Sequence, residues 1–323
     1  MTTDKQMTQY KQFLRIIKEK ALIFFGLVKK AGAAFIQDDA IKLSASLSYY
    51  TVFALGPVLL LIISIAGIFY GEVALQGKLF SQIKGMVGNS AAYQLQSILA
   101  NIQKADKSVT GAIVGFIVLI IGATGVFTEI QSSINYIWSI RAKPERGWLK
   151  LIKNRLLSFS LVVSISFILI VALIVNAVLD LLNDRLASIF PGVAYIIFYV
   201  LNILVIFFVI TGLFAIIFRV LPDGTIAWKD AIKGASFTAI LFLLGKFLIG
   251  YYIGRSDYGF TYGTAASIMI ILAWVYYSSA ILYFGAAFTK VYAVKYGSGI
   301  RPNDTAVFII KREAKEIEPI TDN

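Results

Sequence analysis

Apolar residues run along this chain in long blocks, with polar and basic residues collected between them. The blocks cover about 43–70, 109–138, 156–179, 193–218, 231–254 and 262–289. At about 1.5 Å of rise per residue, some 20 helical residues cross a hydrocarbon core of roughly 30 Å, so each block is long enough to span. The pattern therefore predicts an all-α polytopic protein with six transmembrane helices. The second block is apolar only to Thr128 and continues as a polar extension to Trp138, which reads as an interface anchor. Pro57 removes a backbone hydrogen bond and predicts a bend in the first span.

The segments between the blocks carry a different period. From Tyr10 the apolar positions Phe13, Leu14, Ile17, Ala21, Phe24, Phe25 and Val28 recur at three and four, with Lys11, Arg15, Lys18, Lys20 and Lys29 around them. This predicts a basic amphipathic helix lying in the headgroup layer, within a cytoplasmic segment 1–42 whose first nine residues fray. The same stripe would also suit packing against a neighbouring helix. Leu75, Leu79 and Ile83, then Leu95, Ile98, Leu99 and Ile102, predict two short amphipathic helices on the outer surface. From Lys290 to Asn323 the chain is expected to form a polar cytoplasmic tail without fixed structure.

Composition supports the membrane class: 58% of residues are hydrophobic, 15% are charged, and mean hydropathy is +0.78. The net charge of +12 does not require a nucleic acid, because the basic residues flank the apolar blocks. Of the thirty Lys and Arg, twenty-three fall in the N-terminal segment, the connectors after spans two and four, and the tail. The other connectors hold six. By the positive-inside rule both termini lie in the cytoplasm. No cleavable leader is expected, since the first long apolar run comes too late and is too long.

Cysteine and histidine are absent, which removes disulfides, thiol chemistry, Cys/His metal sites and any His-based catalytic dyad or triad. There is no GxxxxGK[ST] phosphate loop. No cofactor, metal or catalytic residue is expected, and the chain does not read as an enzyme.

One charge stands out. Lys246 lies inside the fifth block, too deep for its stem to reach an interface easily, and such residues mark functional sites by default. Glu129 is the candidate counter-charge. Ser44, Ser48 and Thr51 fall on one side of the first span beside Tyr49, a small polar face suited either to helix packing or to lining a cavity. Gln131 and Asn135, four apart, share a face of the second span's extension. With Tyr262 and Thr264 these residues form the expected cavity. Gly111/Gly115 and Gly250/Gly254 allow close helix approach and admit a homo-oligomer.

Several blocks, in their order and spacing, look familiar. They are Leu47-Ser48-Tyr49-Tyr50-Thr51 with Pro57, then Gln131 with Ile134-Asn135 and Trp138, then Pro222 with Trp228-Lys229-Asp230-Ala231. Gly234-Ala235, Leu241-Phe242, Gly245-Lys246, Tyr262-Gly263-Thr264, Trp274-Val275-Tyr276-Tyr277 and Gly285-Ala286 follow. From about Asp38 to Val291 the chain resembles the YihY/BrkB family of bacterial inner-membrane proteins.

That resemblance implies an inner-membrane transporter or exporter of a small organic solute or lipid precursor, with membrane lipids as surroundings. It equally admits a lipid-handling or scaffold role connected with envelope integrity and serum resistance. The family's old label as a ribonuclease (ribonuclease BN) fits poorly, because metal-dependent nucleases need His or clustered carboxylates. One departure is that the family commonly reads Gly-Ala-Glu where this chain has Gly285-Ala286-Ala287. If that acid takes part in ion coupling, coupling differs here.

Overall fold

The computed structural model describes residues 2–52, 54, 93, 96, 125–143, 193–255 and 266–311. Helix α1 is Thr2–Gln37, α2 runs over 40–52 and α3 over 125–137, followed by strand β1, Ile140–Ala142. Then come α4 (Val193–Val220), β2 (Gly224–Thr225), α5 (Trp228–Arg255), α6 (Ala266–Tyr296), β3 (Arg301–Pro302) and β4 (Ala306–Phe308). Among the described residues three helical stretches are long and apolar enough to cross a membrane: Val200–Val220, Trp228–Ile249 and Met269–Tyr296. They fall on the fourth, fifth and sixth apolar blocks. The third block, most of the first, the second up to residue 124 and the 71–108 connector lie outside the described residues, apart from 93 and 96.

α5 packs against both α4 and α6. Its contact with α6 rests on a reciprocal motif. Gly234 faces Thr289, and Gly285 faces Thr238. Each threonine hydroxyl donates to the glycine carbonyl one turn earlier on its own helix, Thr238 to Gly234 at 2.8 Å and Thr289 to Gly285 at 2.7 Å. Both helices thus read Gly-x-x-x-Thr, and the threonine of each fills the gap that the other's glycine leaves. In a bilayer, where apolar burial drives little, such close backbone approach is what holds helices together. Tyr277 fills the gap over Gly245 in the same way.

α1 takes the packing role that its stripe allows. Leu27 and Ala31 are buried against Phe288, Phe24 meets Phe237 edge-on at 5.9 Å, and Phe35 meets Phe284 at 5.8 Å. Leu22, Phe25 and Ile36 stay exposed on the neighbouring arc. The helix begins at Thr2, so the fraying expected over residues 1–9 is replaced by helix. It ends in a turn at Asp38–Asp39, where Asp39 takes a left-handed conformation (φ 50°) that a short polar side chain tolerates.

The tail differs from expectation. α6 continues through Tyr296, Gly299 turns the chain with φ 77°, and residues 301–308 supply two strands to the fold. β4 pairs antiparallel with β1, with Arg141 opposite Val307, and β3 pairs antiparallel with β2, with Thr225 opposite Arg301. The described residues are mostly helical, as expected, with four strands of two or three residues added that the all-α reading did not include. The connector after α3, the connector after α4 and the tail are tied together at one end of the helices. Beneath them Trp138, Ile134, Ile137, Phe218 and Tyr283 are completely buried.

Candidate functional site

α3 delivers its polar face to the strand-capped end. One turn of helix separates Gln131 from Asn135, so both amides reach the same neighbour, the carboxylate of Asp223 in the Leu221-Pro222-Asp223-Gly224 turn. Gln131 Nε2 donates to Asp223 Oδ1 at 3.2 Å, and Asn135 Nδ2 donates to Oδ2 at 2.7 Å. The backbone N–H of Asp223 donates to Asn135 Oδ1 at 2.8 Å. Asn135 is buried and its amide is used at both ends, which fixes its orientation. Trp138, one turn further, donates from Nε1 to the carbonyl of Ala286 at 3.0 Å and anchors α3 to α6.

Around this cluster opens a cleft of about 430 Å³, lined by Thr128, Gln131, Ser132, Asn135, Tyr136, Ile140, Arg141, Ala142, Asp223 and Ile309. That volume is in the range that takes a small organic molecule. Polar groups from α3 and the turn form one side, and apolar side chains of β1 and the tail form the other. Two lysines brace the surroundings. Lys290 Nζ donates to the carbonyl of Ile137 at 2.6 Å and to Ser139 Oγ at 3.0 Å, capping the C-terminus of α3 where a cation is favoured. Lys311 pairs with the buried Asp38 and stands over the Tyr136 ring at 3.9 Å.

The other predicted residues lie elsewhere. Lys246 is eighteen residues along α5 from Trp228, about 27 Å away. At 100° per residue it falls within about 20° of Ala235 and Ala239, both completely buried, whereas Leu244, Phe247 and Leu248 on the far side are exposed. It sits on the protein-facing arc and is half-buried. Glu129 is partly buried on α3, and the two form no ion pair.

On α2 the three hydroxyls bond to their own helix: Ser44 to Ala40 O at 2.6 Å, Ser48 to Ala45 O at 2.8 Å and Thr51 to Leu47 O at 2.7 Å. Ser44 and Ser48 are buried, and Tyr49 is exposed against Tyr50. The structure does not bring these residues, Glu129 or Lys246 to the cleft. Pro57, Tyr262, Thr264 and the Gly111/Gly115 pair lie outside the described residues. Ala287 is fully buried in the cluster that holds Tyr283, so this position is closed to water.

Sequence reasoning missed Asp223, Asp230, Lys290 and Lys311. Asp230 accepts from Ser298 N at 2.9 Å and Ser298 Oγ at 3.0 Å, fastening the start of α5 to the turn after α6. Its place in the first turn of a helix was the available signal. Asp223 sits in a Leu-Pro-Asp-Gly stretch, a pattern that turn chemistry alone accounts for.

The family described as virulence factor BrkB matches residues 31–307. A UPF0761 membrane protein of Saccharophagus degradans is 27% identical over 281 residues, covering 84% of this chain and 59% of that one. Those of Stenotrophomonas maltophilia and Pseudomonas paraeruginosa are each 26% identical, covering 79% and 78% of this chain and 58% and 59% of theirs. The chain thus spans about three-fifths of the length of these relatives. No solved structure matches. With long apolar helices and a match over most of its length, this chain is an integral membrane protein that belongs to the BrkB family.

Proposed function

We propose that this protein is a six-span carrier of the bacterial inner membrane, with both termini in the cytoplasm, that moves a small organic solute or lipid precursor past Lys246. The observation that carries this reading is the position of Lys246 on the buried arc of α5, in line with Ala235 and Ala239. A lysine within a span is costly in lipid, by about 3 kcal/mol on insertion scales, and so is kept for a pathway or a partner. The orientation is supported by the strand pairings, which join three segments that the Lys/Arg distribution assigns to the same side. No catalytic role is proposed.

The test is flux. In proteoliposomes loaded with a panel of labelled zwitterionic and anionic solutes, Lys246→Met should abolish the efflux that the wild-type protein supports. Lys246→Arg should retain part of it. Membrane insertion, judged by protease accessibility of the termini, should be the same in all three. Equal efflux from Lys246→Met and wild type would remove the proposed role.

A further inference from the structure

The cleft beside Asp223 has a chemistry of its own, independent of whether the protein transports anything. Each carboxylate oxygen carries two acceptor sites, and the amides of Gln131 and Asn135 occupy one on each. Gln131 spends its Nε2 on the carboxylate, and its Oε1 makes no hydrogen bond among the described residues. One acceptor site stays open on each oxygen of Asp223, Gln131 Oε1 adds another, and the second N–H of each amide remains as a donor beside them. The carboxylate charge favours a ligand group there that is positive and donates hydrogen bonds. A primary ammonium does both, with three N–H groups.

Size and walls narrow the ligand further. A cleft of about 430 Å³ is far larger than a bare cation needs, and Ile140, Ala142 and Ile309 give it an apolar wall against which carbon can pack. No group of three or more acidic side chains that could hold a metal occurs among the described residues. Arg141 also lines the cleft, and it forms no ion pair with Asp223. Opposite charges thus stand in one cavity without neutralising each other directly. Lys290, held on Ile137 O and Ser139 Oγ, adds positive charge beside Arg141, while Lys311 is balanced by Asp38; this favours a ligand that also carries an acid over a simple amine.

We infer that this cleft binds a zwitterion, its ammonium on Asp223 and Gln131 and its acidic group toward Arg141. A free amino-acid-like solute and a phosphoethanolamine headgroup share this chemistry.

Binding to the full chain in detergent, measured by titration calorimetry with O-phosphoethanolamine, tests the assignment. Phosphocholine, whose nitrogen has no N–H, and glycerol phosphate, which has no ammonium, should each bind about tenfold more weakly or worse. Asp223→Asn should erase the preference for phosphoethanolamine over phosphocholine. Since Asp223 also holds the turn, Arg141→Gln, at the exposed side chain of β1, provides a second variant. It should weaken phosphoethanolamine about tenfold and leave ethanolamine unchanged.

Nanodiscs separate the two sources. If phosphatidylethanolamine nanodiscs suppress binding of the free probe while phosphatidylcholine nanodiscs do not, the natural ligand is the headgroup; if neither suppresses it, a soluble zwitterion is assigned. Equal affinity for phosphoethanolamine and phosphocholine, or no binding of either, overturns the inference. Neither result bears on Lys246, whose role is read from flux.

Discussion

Replacing Asn135 with leucine tests the central piece of this architecture. The side chain keeps its size but loses both the donor to Asp223 Oδ2 at 2.7 Å and the acceptor for the Asp223 N–H at 2.8 Å. A hydrogen bond to a charged group is worth about 1.5–3 kcal/mol, and a neutral one about 1 kcal/mol. Water in the open cleft can replace part of the first and little of the second, so a net loss of about 3 kcal/mol is expected. At roughly 2 °C per kcal/mol, the lower end of the scale for large domains, the melting midpoint should fall by about 6 °C.

The assay is thermal unfolding in detergent followed by tryptophan fluorescence, since Trp138 lies one turn away in the buried core. Ser132→Ala is the control. That hydroxyl is exposed and donates only to the backbone of its own helix, so its removal should stay within about 0.5 kcal/mol of wild type. The sharper measurement combines Asn135→Ala and Asp223→Ala. If the two side chains act through each other, the double variant should lose less than the sum of the singles, by about 2 kcal/mol. Additive losses would refute the coupling and leave the turn held by packing alone.

Other outcomes follow from the same contacts. Gly285→Val drives a branched side chain into Thr238 and should cost about 2 kcal/mol and separate α5 from α6, whereas Gly212→Ala, which meets nothing within 4 Å, should be neutral; melting midpoints compare them. Lys290→Met removes the two donated bonds to Ile137 O and Ser139 Oγ and should lower stability by about 1–2 kcal/mol, read in the same assay. Ending the chain at residue 300 deletes β3 and β4, so limited proteolysis should newly cut at 140–143 and 221–226, which these strands cover in the intact protein.

Local spacing was enough to set several of these features. Twenty or more apolar residues in a row have no other way to satisfy their backbone in lipid, so α4, α5 and α6 were readable from hydropathy; the bounds of α4 and α5 fall within three residues of the apolar blocks, whereas α6 runs seven residues past its block. Gln131 and Asn135 were readable as one face for the same kind of reason, because i and i+4 are neighbours on any helix. The buried side of α5 at Lys246 follows from arithmetic on the helix period once one flanking alanine is known to be inside.

What a face meets is not a local property. Asp223 is 88 residues from Asn135 in the chain, and nothing in a Pro-Asp-Gly turn announces a partner; only the docking of α3 beside the α4–α5 turn creates the pair. β3 and β4, at two and three residues, are too short to show the alternation that marks a strand, and they exist because β2 and β1 are held opposite them. The hydroxyls of Ser44, Ser48 and Thr51 had two possible uses by composition, and the fold gives each of them to its own helix backbone. Periodicity along one helix determines which side chains travel together; contact between helices decides what they touch, and that is where this protein's cleft is made.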